Sequence, residues 1–491
     1  MTGALARLEA VIDASGVAEI IEARLAVGVR PRQLRVRTLL LGLLLAVHDA
    51  RPAHLRRAHG ALLALCGSER TRLGVTAEWH GRVHLLTYRQ VEYTFSLVVG
   101  ALSKEHPDGA PSEELRSVLD ALVEATVPND VATTSLAVDW SDQETFARPP
   151  GDPARPGADA EASWGHRSAG VAKEDLFFGY YFSAATMVAD EEGPAVPELV
   201  RRMALTSCAR DPVTAFVPTL EAMAAGGIAL GDVLCDSGYA HRLSEHWALP
   251  VRRAGGQLVM DLHPHDRGTR GTFGGAICCN GNLYCPATPQ ALFDLHTLAR
   301  GASADQVAAH DARTAELARY KLGRISADDP DGFHRVECPA VTAKVRCPRR
   351  AASMASGYDR PEITHPPDPA PCCCVQRTMT VPPEVNAKTS QKHDYPSASH
   401  RRSFARRTAV ERSYATLKDP ASTDVRRGWC RVMGLAAISL LLACAVVVRN
   451  ERVLDAFEER QRVDARRRAA GLEPKTRTRR RRTIDDLIAV G

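Results

Sequence analysis

Three acidic residues lie far apart in the chain, each where chemistry could use it. Asp139 closes the apolar run TTSLAV (Thr133–Val138), and Asp236 closes the short run Asp232–Cys235. Glu411 lies in SFARRTAVERSYATLKD, Ser403–Asp419, which reads as a helix. Carboxylates brought together at neighbouring strand ends repel unless cations bind. Hard divalent cations take oxygen ligands. Two of them about 4 Å apart activate an oxygen nucleophile and stabilise the leaving oxygen in phosphodiester chemistry. A strand-end aspartate taken alone also serves as a cap or turn former.

The helix carries more than its acid. At about 100° per residue, seven residues return to nearly the same side and three fall about 60° short. Phe404, Arg407, Glu411 and Lys418 therefore share one stripe. Val410, Tyr414 and Leu417 form an apolar stripe beside it, suited to packing. A solvated amphipathic helix with a Glu–Arg pair satisfies the same pattern.

The elements that must position these acids form an α/β pattern. Strands are expected at Thr133–Val138, Leu176–Val188, Leu199–Cys208, Asp232–Cys235 and Gln257–Leu262. Asp211–Ala225 reads as a helix, with Asp211 as N-cap and Pro212 at its first position, and a short helix fills Ala240–Ala248. Residues 1–102 read as helical, with helices expected in Leu5–Val27, in Leu39–His48 and from about Thr87 to Leu102. Arg30, Arg32, Arg35 and Arg37 precede the second. This is a helix-turn-helix-like module or a plain bundle. Residues 103–130 look like a linker with a short helix.

At 491 residues the chain is long enough for two or three domains. Its net charge of +5 is unevenly spread: residues 401–491 hold 22 Lys/Arg against 11 Asp/Glu. The run Lys475–Arg482, KTRTRRRR, fits polyanion binding or a solubilising tail. No signal peptide opens the chain. Val432–Val448 is uncharged and is read as a buried core helix, with a membrane-anchored protein as the competing reading.

The 13 cysteines do not resemble a secreted framework, and a reducing cytoplasm is expected. Cys278, Cys279, Cys285, Cys338, Cys347 and Cys372 to Cys374 crowd one Gly- and Pro-rich segment without a CxxC pair. Structural Zn2+ and free thiols both fit. Asp261, His263 and His265 alternate in DLHPH and offer further ligands.

Taken in order, VDWSD around Asp139, VLCDSGY around Asp236 and FARRTAVERSYATLK resemble the three acidic motifs of DDE transposases of bacterial insertion sequences. The last keeps the spacing of the Y-(2)-R-(3)-E-(6)-K signature at Phe404, Arg407, Glu411 and Lys418. The resemblance covers roughly residues 130–450. It implies an RNase H-like catalytic domain, a mixed sheet with flanking helices, in two parts: 131–263 and 401–450. Residues 264–400 would be a Cys-rich insertion before the last catalytic helix, 1–102 a helical domain binding DNA ends, 103–130 a linker and 451–491 a basic tail.

The resemblance also implies roles. Asp139, Asp236 and Glu411 would hold two Mg2+ ions, with Mn2+ able to substitute. Phe404, Arg407 and Lys418 would contact double-stranded DNA at the element's ends. Hydrolysis there would be followed by attack of the freed 3′-OH on target DNA, by a homodimer on paired ends in the cytoplasm at the nucleoid. Phe404 departs from the signature's Tyr: a phenyl ring stacks on a base but donates no hydrogen bond. The alternative is an RNase H-like nuclease, or a domesticated DNA-binding descendant without strand transfer.

Overall fold

The computed structural model describes residues 2–25, 32–49, 54–103, 109–131, 133–151, 155, 157–167, 175–295, 298–299, 301–329, 331–355, 357, 359–426 and 430–474. The basic run 475–482, and Val27 and Arg30 of the first expected helix and its flank, lie outside them.

Gly16 divides the first apolar stretch. Its φ of 62° is left-handed, which glycine adopts without a Cβ clash, so α1 (Thr2–Ser15) stops and α2 (Val17–Glu22) starts on a new axis. The buried α3 (Val36–His48) follows, then α4 (Leu55–Leu63) and α5 (Gly67–Arg72). Residues 76–85, expected within a helical region, are instead a hairpin of β1 (Thr76–Trp79) and β2 (Arg82–Leu85). His80 and Gly81 both take positive φ, the two-residue turn that suits the twist of paired strands. Thr87 caps α6 (Tyr88–Leu102), with Gln90 closing a capping box, at the expected start.

Residues 103–130 hold α7 (Glu113–Glu124), and it is no free linker helix. Leu115, Val118, Leu119, Leu122 and Val123 are buried in the same core as α1 and α3. Glu124 pairs with Arg201 at 2.7 Å and with Arg202. The packing follows from apolar residues at 115, 118, 119, 122 and 123, a helical stripe that must be covered.

The main sheet comprises β3 (Leu136–Glu144), β4 (Ser163–His166), β5 (Leu176–Met187), β6 (Val200–Ser207), then α8 (Pro212–Ala225), β7 (Asp232–Cys235), α9 (Ser237–Ala240), α10 (Ala248–Arg253) and β8 (Gln257–Met260). β5 is antiparallel to β3, β4 and β6, whereas β3, β7 and β8 run parallel. Side chains alternate between two cores, as a pleated strand requires. Leu136, Val138, Val233, Cys235, Leu258 and Met260 pack against α8 and α10. Ala137, Leu234 and Val259 face the other way, into the core that holds the N-terminal helices.

The segment 264–400 has its own small sheets and cores. β9 (Thr269–Phe273), β10 (Ala276–Cys279) and β11 (Asn282–Tyr284) form one sheet. After α11 (Ala304–Arg319), β12 (Gly323–Arg324) and β13 (His334–Glu337) pair. The short α12 (Ala351–Met354) and α13 (Cys372–Val375) follow, and β14 (Thr378–Val381) joins β13.

The chain then returns to the main sheet through α14 (Ala398–Phe404), α15 (Thr408–Leu417) and the long α16 (Leu435–Ala469). The first half of α16 is buried, as expected of Val432–Val448 except that the helix starts only at Leu435 and Met433 is exposed, and no described helix is long and apolar enough to cross a membrane. Asn450 ends the buried half. It accepts from Val200 N at 3.0 Å and donates to Val200 O at 2.7 Å and to Thr126 Oγ1 at 2.9 Å.

Asn450 thus satisfies backbone groups at the start of β6 that α16 shields from water. Asn450→Ala leaves them buried and unpaired, so urea unfolding should show a loss of about 2–3 kcal/mol. An unchanged midpoint and slope would contradict this role.

Candidate active site

β3 pairs Leu136 with Val233 and Ala137 with Leu234 of β7. Two residues further in that register, Asp139 comes opposite Asp236, on the face shared with Ala137 and Leu234. β3 does not stop at Asp139, as TTSLAV suggests. It continues to Glu144 because β5 keeps pairing as far as Gly179. The acids of this continuation are neutralised from afar. Arg167 pairs with Asp142 at 3.1 Å and with Glu144, and Lys418 Nζ lies 2.7 Å from Asp142 and 2.8 Å from Ser141 Oγ. Asp142 is therefore an ion-pair residue, and Lys418 faces the strand.

Asp236 leaves β7 as expected and caps α9, its Oδ1 accepting from Gly238 N at 2.9 Å. A Cβ at Gly238 would come within 2.6 Å of Trp140, so glycine lets the turn close against that ring. Trp140, Tyr239 and Trp247 stack in sequence beneath it, at centroid distances of 4.9 and 4.5 Å.

The segment carrying Glu411 is not one straight helix. A 3-10 turn, Ala405–Arg407, separates α14 from α15, so Phe404 belongs to the preceding helix. Arg406 holds that turn: its guanidinium bonds Ser403 O at 3.1 Å, Ala189 O at 3.0 Å and Asp232 at 2.6 Å. Phe404 stacks on His400 with ring centroids 5.7 Å apart, and the Arg407 guanidinium lies 5.8 Å from its ring.

α15 is fastened to the sheet at the acids. Tyr414 OH, fully inside, donates to the Asp139 carbonyl at 2.7 Å or the Phe182 carbonyl at 2.9 Å. Ser413 Oγ meets Thr186 Oγ1 at 3.0 Å and accepts from the buried Arg449 at 2.9 Å. The apolar stripe predicted Tyr414 as packing, but nothing in the pattern revealed what its hydroxyl does.

Arg407 joins two of the acids. Its Nη1 is 2.9 Å from Asp139 Oδ2 and its Nη2 bonds Glu411. Glu411 remains half exposed, whereas Asp139 and Arg407 are nearly enclosed. Burial pushes the Asp139 carboxyl up to about 6, and the neighbouring Asp236 pushes the same way, while Arg407 opposes both. Burial works against the Arg407 charge, but Asp139, Glu411 and Asp236 hold its pKa above the ordinary value.

No known protein family, curated protein or solved structure matches this chain. The site has to be read from its own chemistry.

Among the described residues, no three His, Cys, Asp or Glu side chains form a group that could hold a metal ion. Asp139 and Glu411 each have an oxygen on Arg407 instead. The donor set still suits a hard divalent cation: carboxylate oxygens, one within β3 and one just past the end of the neighbouring β7, with an excess of negative charge. The DLHPH residues do not converge with them. Asp261 pairs with Arg267 at 3.1 Å and accepts from Tyr395 OH at 2.9 Å, while His263 stacks between His241 and His265.

The folded chain holds the Asp139 proton more tightly than the unfolded chain, where the ordinary value is 3.8. Stability from this group is full below about pH 3.8 and is lost as pH rises through about 6. Asp236→Asn removes the like charge. In chelator it should raise stability by about 1 kcal/mol near pH 8, with the gain vanishing near pH 4. An equal gain at both pH values would show that the two carboxylates do not interact.

Proposed function

We propose that the chain is a DDE-type DNA transposase that cleaves the ends of its own element and joins the 3′-OH ends to target DNA. The observation that carries this reading is the placement of Asp139 and Asp236 on adjacent parallel strands, beneath the helix bearing Glu411. A mixed sheet with helices on both faces supports an RNase H-like catalytic domain.

Asp139, Asp236 and Glu411 would hold two Mg2+ ions, or Mn2+ in their place. When bound, such ions lower the pKa of the attacking oxygen and offset charge on the leaving one. Both reactions are displacements at phosphorus by an oxygen nucleophile, first water and then the 3′-OH, so one set of acids serves both. Arg407 would orient a phosphate through its planar fork, which its bond to Asp139 already aims across the site. Phe404 would stack against a base beside it, and Lys418 would add positive charge at the far end of α15.

The N-terminal helices and hairpin would bind the element's ends. Val83 and Leu85 on the hairpin stand 69% and 50% exposed, which suits contact with a partner rather than a core. Pairing of two ends calls for a homodimer.

DNA carrying the terminal repeats that flank the gene, incubated with the chain and Mg2+, should be cut at the element's ends. Asp236→Ala should lower cutting by at least about a thousandfold, roughly 4 kcal/mol of barrier, while end binding persists in a mobility-shift assay. Full cleavage by that variant would refute the assignment.

A further inference from the structure

We propose that Cys285, Cys338, Cys347 and Cys374 bind one zinc ion that ties together the loops of the 264–400 segment. The inference does not depend on the function proposed above.

The argument begins with a repeated turn. Cys285, Cys338 and Cys347 are each followed by proline. In each case the cysteine carbonyl accepts from the backbone N–H three residues on: Thr288 at 3.0 Å, Val341 at 2.9 Å and Arg350 at 2.9 Å. Proline after the first residue pre-sets such a turn. One such turn is ordinary, but three in one segment form a pattern that fold stability alone does not require.

The turns converge. The sulfurs of Cys338, Cys347 and Cys374 all lie within electrostatic reach of Cys285, and Cys338 is within reach of Cys347 and Cys374. Cys285, Cys338 and Cys347 are buried in one core. Cys374 arrives on α13, where its N–H bonds Pro371 O at 2.8 Å. Arg350, at the end of the Cys347 turn, locks the two loops together: its Nη2 donates to the carbonyls of Cys374 at 2.9 Å, Val375 at 3.1 Å and Gln376 at 2.7 Å. Cys373, next door, lies in the segment's second core, and Cys374 packs against that core from the side facing Arg350; Cys373 is within electrostatic reach of Cys285 and Cys338 as well.

All 13 cysteines are free thiols here, and they are not drawn into a ligating group. Closing on an ion would draw the four sulfurs closer together than they stand here. Each thiol would release a proton to solvent on binding. Four thiolates select a soft, tetrahedral ion, for which zinc is the common choice. Arg349 and Arg350 beside Cys374 would offset the excess negative charge. The segment needs such a tie because its hydrophobic residues divide into two small cores that share no residue.

The test uses the full chain, purified without chelator. Elemental mass spectrometry should find one zinc per chain. Cys338→Ser and Cys347→Ser should each lose most of it, and Cys278→Ser should keep it. The native chain, stripped with chelator and given Co2+ alone, should show intense thiolate-to-cobalt charge-transfer bands and the visible bands of a tetrahedral site, a readout that needs no variant to fold. Zinc absent from the native chain together with a cobalt spectrum lacking thiolate bands would overturn the proposal. So would zinc retained in both serine variants.

Discussion

Two neighbouring carboxylates, one within β3 and one just past the end of β7, partly shut off from water, need positive charge beside them. The β3–β7 register makes this unavoidable, because continuing it by two residues brings Asp139 to Asp236. Burial and mutual repulsion both favour the protonated acid, and the rise of the Asp139 pKa to about 6 expresses that conflict. Here Arg407 answers it, reaching Asp139 and Glu411 at once. The site is therefore built around a deficit of positive charge that one arginine only partly fills, and divalent cations would meet the same need more fully.

The rest of the structure keeps that arrangement from relaxing. Strands forced to carry like charges could shift apart, or the helix could turn its acid outward. Tyr414 prevents the second by tying α15 to the carbonyl of Asp139 or of Phe182, within one turn of Glu411. Arg406 fixes the entry to the helix on Asp232, at the opposite end of β7 from Asp236. Arg449 and Asn450 of α16 fasten the helical layer to α15 and to β6. The acids lie on the rim of an assembly held by hydrogen bonds from several distant segments.

Much of this was legible in the sequence, and the failures have physical reasons. The aromatic and apolar richness of Leu176–Val188, the Asp211–Pro212 helix start and the short strand before Asp236 are local signals, and each element lies close to its expected place. The apolar pattern ends at Val138, but β3 runs on because Arg167 and Lys418, from elsewhere in the chain, neutralise Asp142 and Glu144. The shared stripe of Phe404, Arg407, Glu411 and Lys418 assumed a uniform helix, and the 3-10 turn at Ala405–Arg407 changes its phase. The hairpin at 76–85 rests on positive φ at His80, a backbone state that side-chain patterns do not encode. Tyr414 counted only as an apolar position, though its hydroxyl connects helix and strand. The convergence of four cysteines was hidden because they lie on separate turns spread from 285 to 374.

The central claim is that Asp139, Asp236 and Glu411 share bound cations. Fe2+ loaded in place of Mg2+, with ascorbate and peroxide, generates radicals that cut the polypeptide next to the bound ion, and mass spectrometry of the fragments locates the cuts. The account predicts breaks clustered near residues 139, 236 and 411, suppressed by excess Mg2+. Breaks confined to other segments, or breaks near only one of the three that Mg2+ does not suppress, would contradict it.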